Sequence, residues 1–147
     1  MPMTNQEMDL FLAETRNAIV ATVNPDGFPQ LTPIWFLWED GKVFFSTTEP
    51  RLKTRNLKRD PRVSLCIDEP GPPQQTVVLA GEDAVVTPGL GGDMTERIAK
   101  KYGGDNWESS YDHIANTPDR VIVSYTPTRI LTWKDSGDRR EYVQKFK

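Results

Sequence analysis

Apolar residues first recur at helical spacing, where Met8, Phe11 and Leu12 follow Thr4 and Glu7. The Thr-x-x-Glu spacing of a capping box then predicts an amphipathic helix over residues 4–16. From Ala18 the period becomes two. Ile19, Ala21 and Val23 alternate with Ala18, Val20 and Thr22, which predicts a strand over 18–23 ending in the turn Asn24-Pro25-Asp26-Gly27. A second strand is predicted over 30–38 and a third over 43–47, with Glu39-Asp40-Gly41-Lys42 turning between them. Two hairpins at short spacing announce an antiparallel meander.

A short helix over 50–59 follows, closed by Asp60-Pro61 because the residue before proline is steered from helical angles. A fourth strand is expected over 62–68. After the loop Glu69-Pro70-Gly71-Pro72-Pro73, a long fifth strand runs over 76–87, and its Gly81 marks a bend that lets one strand serve two sides of a closed sheet. Helices are predicted over 93–102 and 107–115. Residues 120–125 and 128–133 supply a last strand, bent at Pro127.

Six strands with these helices predict a mainly β, α+β chain: a small antiparallel barrel with peripheral helices, one domain over 1–147. The second strand adds a partner. Leu31, Trp35 and Leu37 share one face and Ile34, Phe36 and Trp38 the other, so both faces are apolar. A barrel interior takes only one of them. The other must meet a helix, a cofactor or a second subunit, and a homodimer is the simplest answer.

Composition narrows the function. A chain of 147 residues can bury a self-sufficient core, and the single cysteine, Cys66, leaves no disulfide framework within it. Eighteen Lys and Arg against 21 Asp and Glu give a net charge of −3, which argues against a general nucleic-acid binder. No apolar run approaches the roughly 20 residues of a membrane span. The first twenty residues mix Glu7, Asp9 and Glu14 with apolar positions, unlike a targeting signal, so the expected location is the cytoplasm. His113 is the only histidine, and it has no nucleophile elbow for a hydrolase triad and no cysteine pair for a zinc site. The glycines of Gly89-Leu90-Gly91-Gly92-Asp93 lack the context of a dinucleotide fingerprint and read as a flexible loop.

The mild net charge hides a local exception. Between Arg51 and Arg62 stand six basic residues and one acid, Asp60, so this window carries +5 and the remainder −8. It follows the hydroxyl run Ser46-Thr47-Thr48 at the end of a strand and opens a helix. Two readings stand side by side: a solvated basic helix face, or an anion site built from basic side chains, hydroxyls and helix N–H groups. The hydroxyls favour the second, since each charge-assisted bond to a phosphate is worth about 1.5–3 kcal/mol.

Five segments carry a resemblance: Asp26-Gly27-Phe28-Pro29-Gln30, Pro33-Ile34-Trp35-Phe36, Phe45-Ser46-Thr47, Arg51-Leu52-Lys53-Thr54-Arg55-Asn56-Leu57, and Asp60-Pro61-Arg62-Val63. Together they resemble the pyridoxamine 5′-phosphate oxidase-like split β-barrel superfamily, and within it the flavin/deazaflavin oxidoreductase branch that uses coenzyme F420. The Lys53 to Leu57 string with Asp60-Pro61 is the most specific part, and from Pro88 onward only the layout matches.

The resemblance implies a homodimeric, six-stranded split barrel with the cofactor at the subunit interface. It places Arg51, Lys53, Thr54, Arg55 and Asn56 around the cofactor phosphate with Ser46 and Thr47 nearby, and Gln30, Thr32, Pro33, Ile34 and Trp35 along the ring. It also implies hydride transfer to a small-molecule, electron-poor acceptor, with no residue acting as nucleophile or base. Trp35, Trp38, Tyr102, Trp107, Tyr111 and Trp133 are the aromatic candidates for the acceptor side, against the plainer reading of core packing. Two rivals stay open: an FMN-dependent oxidoreductase with the same phosphate segment, and a non-catalytic flavin or deazaflavin carrier.

Overall fold

The computed structural model describes residues 1–135, so the part of the single-domain expectation that falls on 136–147 lies outside the described residues. The element order is α1 (Asn5–Ala13), β1 (Ala18–Val23), β2 (Pro29–Ile34), β3 (Phe36–Glu39), β4 (Lys42–Thr48), α2 (Leu52–Arg59) and β5 (Val63–Glu69). There follow β6 (Gln75–Gly81), β7 (Val85–Pro88), α3 (Met94–Gly103), a 3-10 turn (Gly104–Asn106), α4 (Trp107–Asn116), β8 (Arg120–Tyr125) and β9 (Arg129–Lys134).

The described residues hold nine strand segments where six strands were expected, and the difference has one cause. Three expected strands each cross from one sheet to another. The five-stranded sheet has the order β2-β1-β5-β6-β9 and the four-stranded sheet the order β3-β4-β8-β7, with every pairing antiparallel. The expected strand over 30–38 divides at Trp35 into β2 and β3, that over 76–87 divides after Gly81 into β6 and β7, and the last divides at Pro127 into β8 and β9. Each division carries the chain between sheets, which closes the two sheets around one core.

Gly81 shows why one division falls where it does. A Cβ there would lie 2.5 Å from Cδ2 of Tyr125, whose hydroxyl donates to the Leu79 carbonyl at 2.7 Å. Only a residue without a side chain lets the two strands meet this closely. The core between the sheets is filled from alternate positions: Val20, Leu65, Val77 and Leu79 from one sheet meet Phe36, Val43, Phe45 and Val123 from the other, all with 0% exposure.

Helix α1 closes one end of the core with Met8, Phe11 and Leu12. The backbone N–H of Glu7 donates to Thr4 Oγ1 at 3.1 Å, the N-cap half of the expected capping box. The helix stops at Ala13, short of the expected residue 16. Arg16 instead turns back, donating to the terminal Phe11 carbonyl at 2.8 Å and to Glu69 at 3.1 Å.

The outward face of the five-stranded sheet is apolar and uncovered. Ile19, Cys66, Val78 and Leu131 stand opposite one another in register across β1, β5, β6 and β9, and Leu31 of β2 extends the patch. Leu31 is 61% and Leu131 59% exposed. Among the described residues no helix is long and apolar enough to cross a membrane.

Candidate functional site

Helix α2 begins where β4 ends, and a web of buried polar contacts fixes the junction. Thr54 Oγ1 donates to the Thr48 carbonyl at 2.6 Å, and Arg51 N–H bonds the same carbonyl at 3.2 Å. Asn56, fully buried, donates to Thr22 Oγ1 at 3.1 Å and to Asn24 Oδ1 at 2.9 Å, and its own oxygen accepts from Arg59. The start of the helix is therefore pinned to β1, β4 and the first hairpin. Thr22 in turn donates to Gln30 Oε1 at 3.1 Å.

Beside this start lies a cleft of about 510 Å³, within the usual range for a small-molecule or cofactor site. Thr32, Pro33, Ile34 and Trp35 form one wall; Ser46, Thr47, Arg51 and Lys53 form another. These are eight of the twelve residues expected at the site. Gln30, Thr54, Arg55 and Asn56 do not line the cleft: Thr54, Asn56 and Gln30 are tied to the internal contacts above, and Arg55 points from the exposed side of α2.

Asn17, Thr48, Ile98, Ile114 and Arg120 complete the lining. Arg120, from the start of β8, had no sequence signal, because an isolated arginine before a strand belongs to no motif. It comes to the site through pairing, since Thr48 stands opposite Arg120 and Ser46 opposite Ile122 in the β4–β8 register. Its Nη2 donates to Ser46 Oγ, while its Nε is buried without a partner among the described residues. Ile98 and Ile114 were legible as apolar positions of helices, but not as cleft residues.

The electrostatics are one-sided. Arg51, Lys53 and Arg120 all line the cleft, no carboxylate does, and none of the three makes an ion pair among the described residues. Lys53 is 9% exposed and its Nζ donates to Thr32 Oγ1 at 3.1 Å. Burial, and then the neighbouring Arg51 charge, lower the Lys53 pKa. The same two causes lower that of Arg120. Three cations held together against their mutual repulsion suit an anion of the phosphate kind, and the hydroxyls of Ser46, Thr47 and Thr48 add neutral donors.

The apolar part of the lining suits a flat ring. Pro33, Ile34, Trp35, Ile98 and Ile114 are apolar, and among the described residues β2 is the edge strand of its sheet, bonded to β1 alone. Its second edge leaves backbone groups free beside the cleft. The Trp35 ring is stacked on Tyr102, with centroids 5.0 Å apart and planes 5° from parallel. Tyr102 is held by donating to the Arg16 carbonyl and accepting from Phe36 N–H at 3.4 Å, and burial pushes its phenol up to about 12. The remaining aromatic candidates do not line the cleft: Trp38 donates to Asp9, Trp107 lies 4.8 Å beneath Lys100 Nζ, and Tyr111 and Trp133 sit on α4 and β9. A phosphate-bearing cofactor with a planar ring fits the donor set and the apolar wall together.

Comparison with known proteins agrees with the architecture. The chain is similar to a conserved hypothetical protein, Rv2991, from Mycobacterium tuberculosis, with 28% identity, a TM-score of 0.73, and coverage of 89% of this chain and 84% of that one. It is similar to an F420 reductase at 27% identity and a TM-score of 0.64, covering 84% and 94% of the two chains. A FAD-binding protein from Mesorhizobium loti shares the fold at 21% identity and a TM-score of 0.67, covering 92% and 98%. The sequence profile of the pyridoxamine 5′-phosphate oxidase family matches residues 4–134, nearly the whole length. The chain belongs to the pyridoxamine 5′-phosphate oxidase family.

Proposed function

We propose that this protein is an oxidoreductase that binds coenzyme F420 between two copies of the chain and passes a hydride to an electron-poor organic acceptor. The observation that carries the reading is the convergence of Arg51, Lys53 and Arg120, with no acid, in a cleft whose lining also includes the apolar Pro33, Ile34, Trp35, Ile98 and Ile114. Lys53, buried, and Arg120, half-buried, are the cations that hold the phosphate, with Arg51 at the mouth and Ser46 and Thr47 as hydroxyl donors. The free edge of β2 from Thr32 to Trp35 lies along the ring. Thr54 and Asn56 serve the site by fixing the start of α2.

When bound, the cofactor supplies two electrons as a hydride. The chain's part is to bind, to orient and to exclude water. The second copy is supported by the apolar row Ile19, Cys66, Val78 and Leu131, which a partner of the same kind would cover. A single cysteine in 147 residues is consistent with a cytoplasmic location.

FMN is the second reading, because its phosphate suits the same cations. F420 is favoured by the F420 reductase at 27% identity, whereas the FAD-binding protein at 21% speaks to fold alone. Turnover separates an enzyme from a carrier. Anaerobic mixing of the protein with reduced F420 and a panel of quinone, enone and nitroarene acceptors should restore the absorbance of the oxidised deazaflavin faster than without protein. Tight binding with no acceleration for any of the three would make the protein a carrier.

A further inference from the structure

A second hollow of about 330 Å³ adjoins the cleft and shares two of its residues, Trp35 and Ile114. Its other walls are Ser109, Ser110 and His113, all from α4. The positions fall on one helical face, His113 being four residues after Ser109 and three after Ser110. No residue of α4 is fully buried, although the helix packs along α3, where Gly103 approaches Ser110 and Trp107 closely. The face of α4 toward Trp35 is thus left open on a hollow beside the cofactor cleft.

The chemistry of the hollow is specific. It offers an imidazole and two hydroxyls and holds no carboxylate, and none of those three side chains makes a hydrogen bond among the described residues. Trp35, kept flat by its stack on Tyr102, supplies a planar wall. Such a set takes a flat molecule with a hydrogen-bond-accepting oxygen. Imidazole is also the one side chain there of a kind that serves in general acid–base catalysis.

We infer that this hollow is the acceptor subsite for a planar conjugated carbonyl compound, and that His113 bonds the carbonyl oxygen and gives it its proton. The assignment rests on the hydride-transfer reading above. The reduced cofactor would supply the hydride, the electron pair of its C–H bond passing with the hydrogen to a new C–H bond at the acceptor's conjugated carbon. The displaced C=C pair shifts toward the carbonyl oxygen, and the imidazolium N–H bond breaks to protonate it. The acceptor gains two electrons, the cofactor loses two, and the imidazole recovers its proton from water. Ser109 and Ser110 orient the same oxygen.

His113 is the only histidine, so its imidazole resonances identify themselves. The test uses full-length protein loaded with oxidised F420, which cannot turn over, titrated with cyclohex-2-enone as the probe. His113 signals should shift saturably. With reduced F420, His113→Ala should lower kcat for the enone by about 100-fold or more, the low end of general-acid catalysis, with the Kd for F420 within about twofold of wild type. His113→Gln should restore KM but not kcat, since it donates a hydrogen bond without a transferable proton. Unmoved His113 signals in the loaded protein, or a kcat for His113→Ala within about twofold of wild type, would overturn the assignment while leaving the cofactor site standing. Failure of the wild-type protein to bind F420 at all would remove both readings together.

Discussion

Lys53 Nζ reaches from the second residue of α2 to Thr32 Oγ1 on the edge strand β2, 3.1 Å away, and spans the junction between the two walls of the cleft. One of its three N–H donors is used in this way. Among the described residues the other two have no partner and remain for a ligand, beside Arg51 and the Nε of Arg120, which has none there either. The basic window was open to two readings as sequence, a solvated face or an anion site. The burial of Lys53 favours the second.

The first prediction concerns these cations. Lys53→Ala or Arg120→Ala should weaken cofactor binding by about 1.5–3 kcal/mol, the loss of a charge-assisted hydrogen bond. Arg55→Ala, outside the cleft, should leave it nearly unchanged. Fluorescence titration of each variant checks the ranking; equal losses for Arg55 and Lys53 would return the helix to a diffuse electrostatic role.

A second prediction concerns the crossing of the sheets. Gly81→Ala should destabilise the fold by about 1–3 kcal/mol, because the added methyl meets the Tyr125 ring and neither strand can move aside freely. Urea unfolding measures this directly. A neutral substitution would mean that the bend is not set by that contact.

Gly81 also marks how much was legible in the sequence. Its bend and that at Pro127 were visible, because glycine and proline punctuate a strand locally. The division at Trp35 was not, since alternation of apolar residues runs unbroken through Leu31, Trp35 and Leu37 and only the closing of the barrel breaks the strand there. One wall of the cleft was legible because Ser46, Thr47, Arg51 and Lys53 are neighbours in sequence. Arg120 was not legible, because strand pairing alone brings it beside Ser46.

A third prediction follows from the uncovered sheet face. Light scattering should give the mass of two chains, and Leu131→Glu should give that of one, with the fold intact because Leu131 is 59% exposed in the single chain. A monomeric wild-type protein would exclude the second copy from the site.

A fourth concerns Lys101, whose Nζ donates to the carbonyls of Leu12 and Phe36 at 3.0 and 3.1 Å and lies 4.1 Å above the Phe36 ring. Burial, followed by the Arg16 charge, lowers its pKa to about 8 from 10.5. Below about 8 both the folded and unfolded chains carry this charge, and the folded one bears the cost of burying it. Between about 8 and 10.5 the unfolded chain binds more protons, so this group's contribution to stability rises with pH. Relative to Lys101→Met, the wild-type protein should therefore gain stability from about pH 7 to about pH 9.5 in urea unfolding. A difference that stays constant or falls would show that Lys101 is not desolvated in the fold.

The central claim is that the cleft holds a phosphate-bearing deazaflavin, and equilibrium titration of the purified protein with F420 and with FMN tests it most directly. Saturable binding of F420 at micromolar or lower concentration, tighter than FMN and lost on Lys53→Ala, is the predicted result. Binding of neither cofactor at micromolar concentration would contradict it.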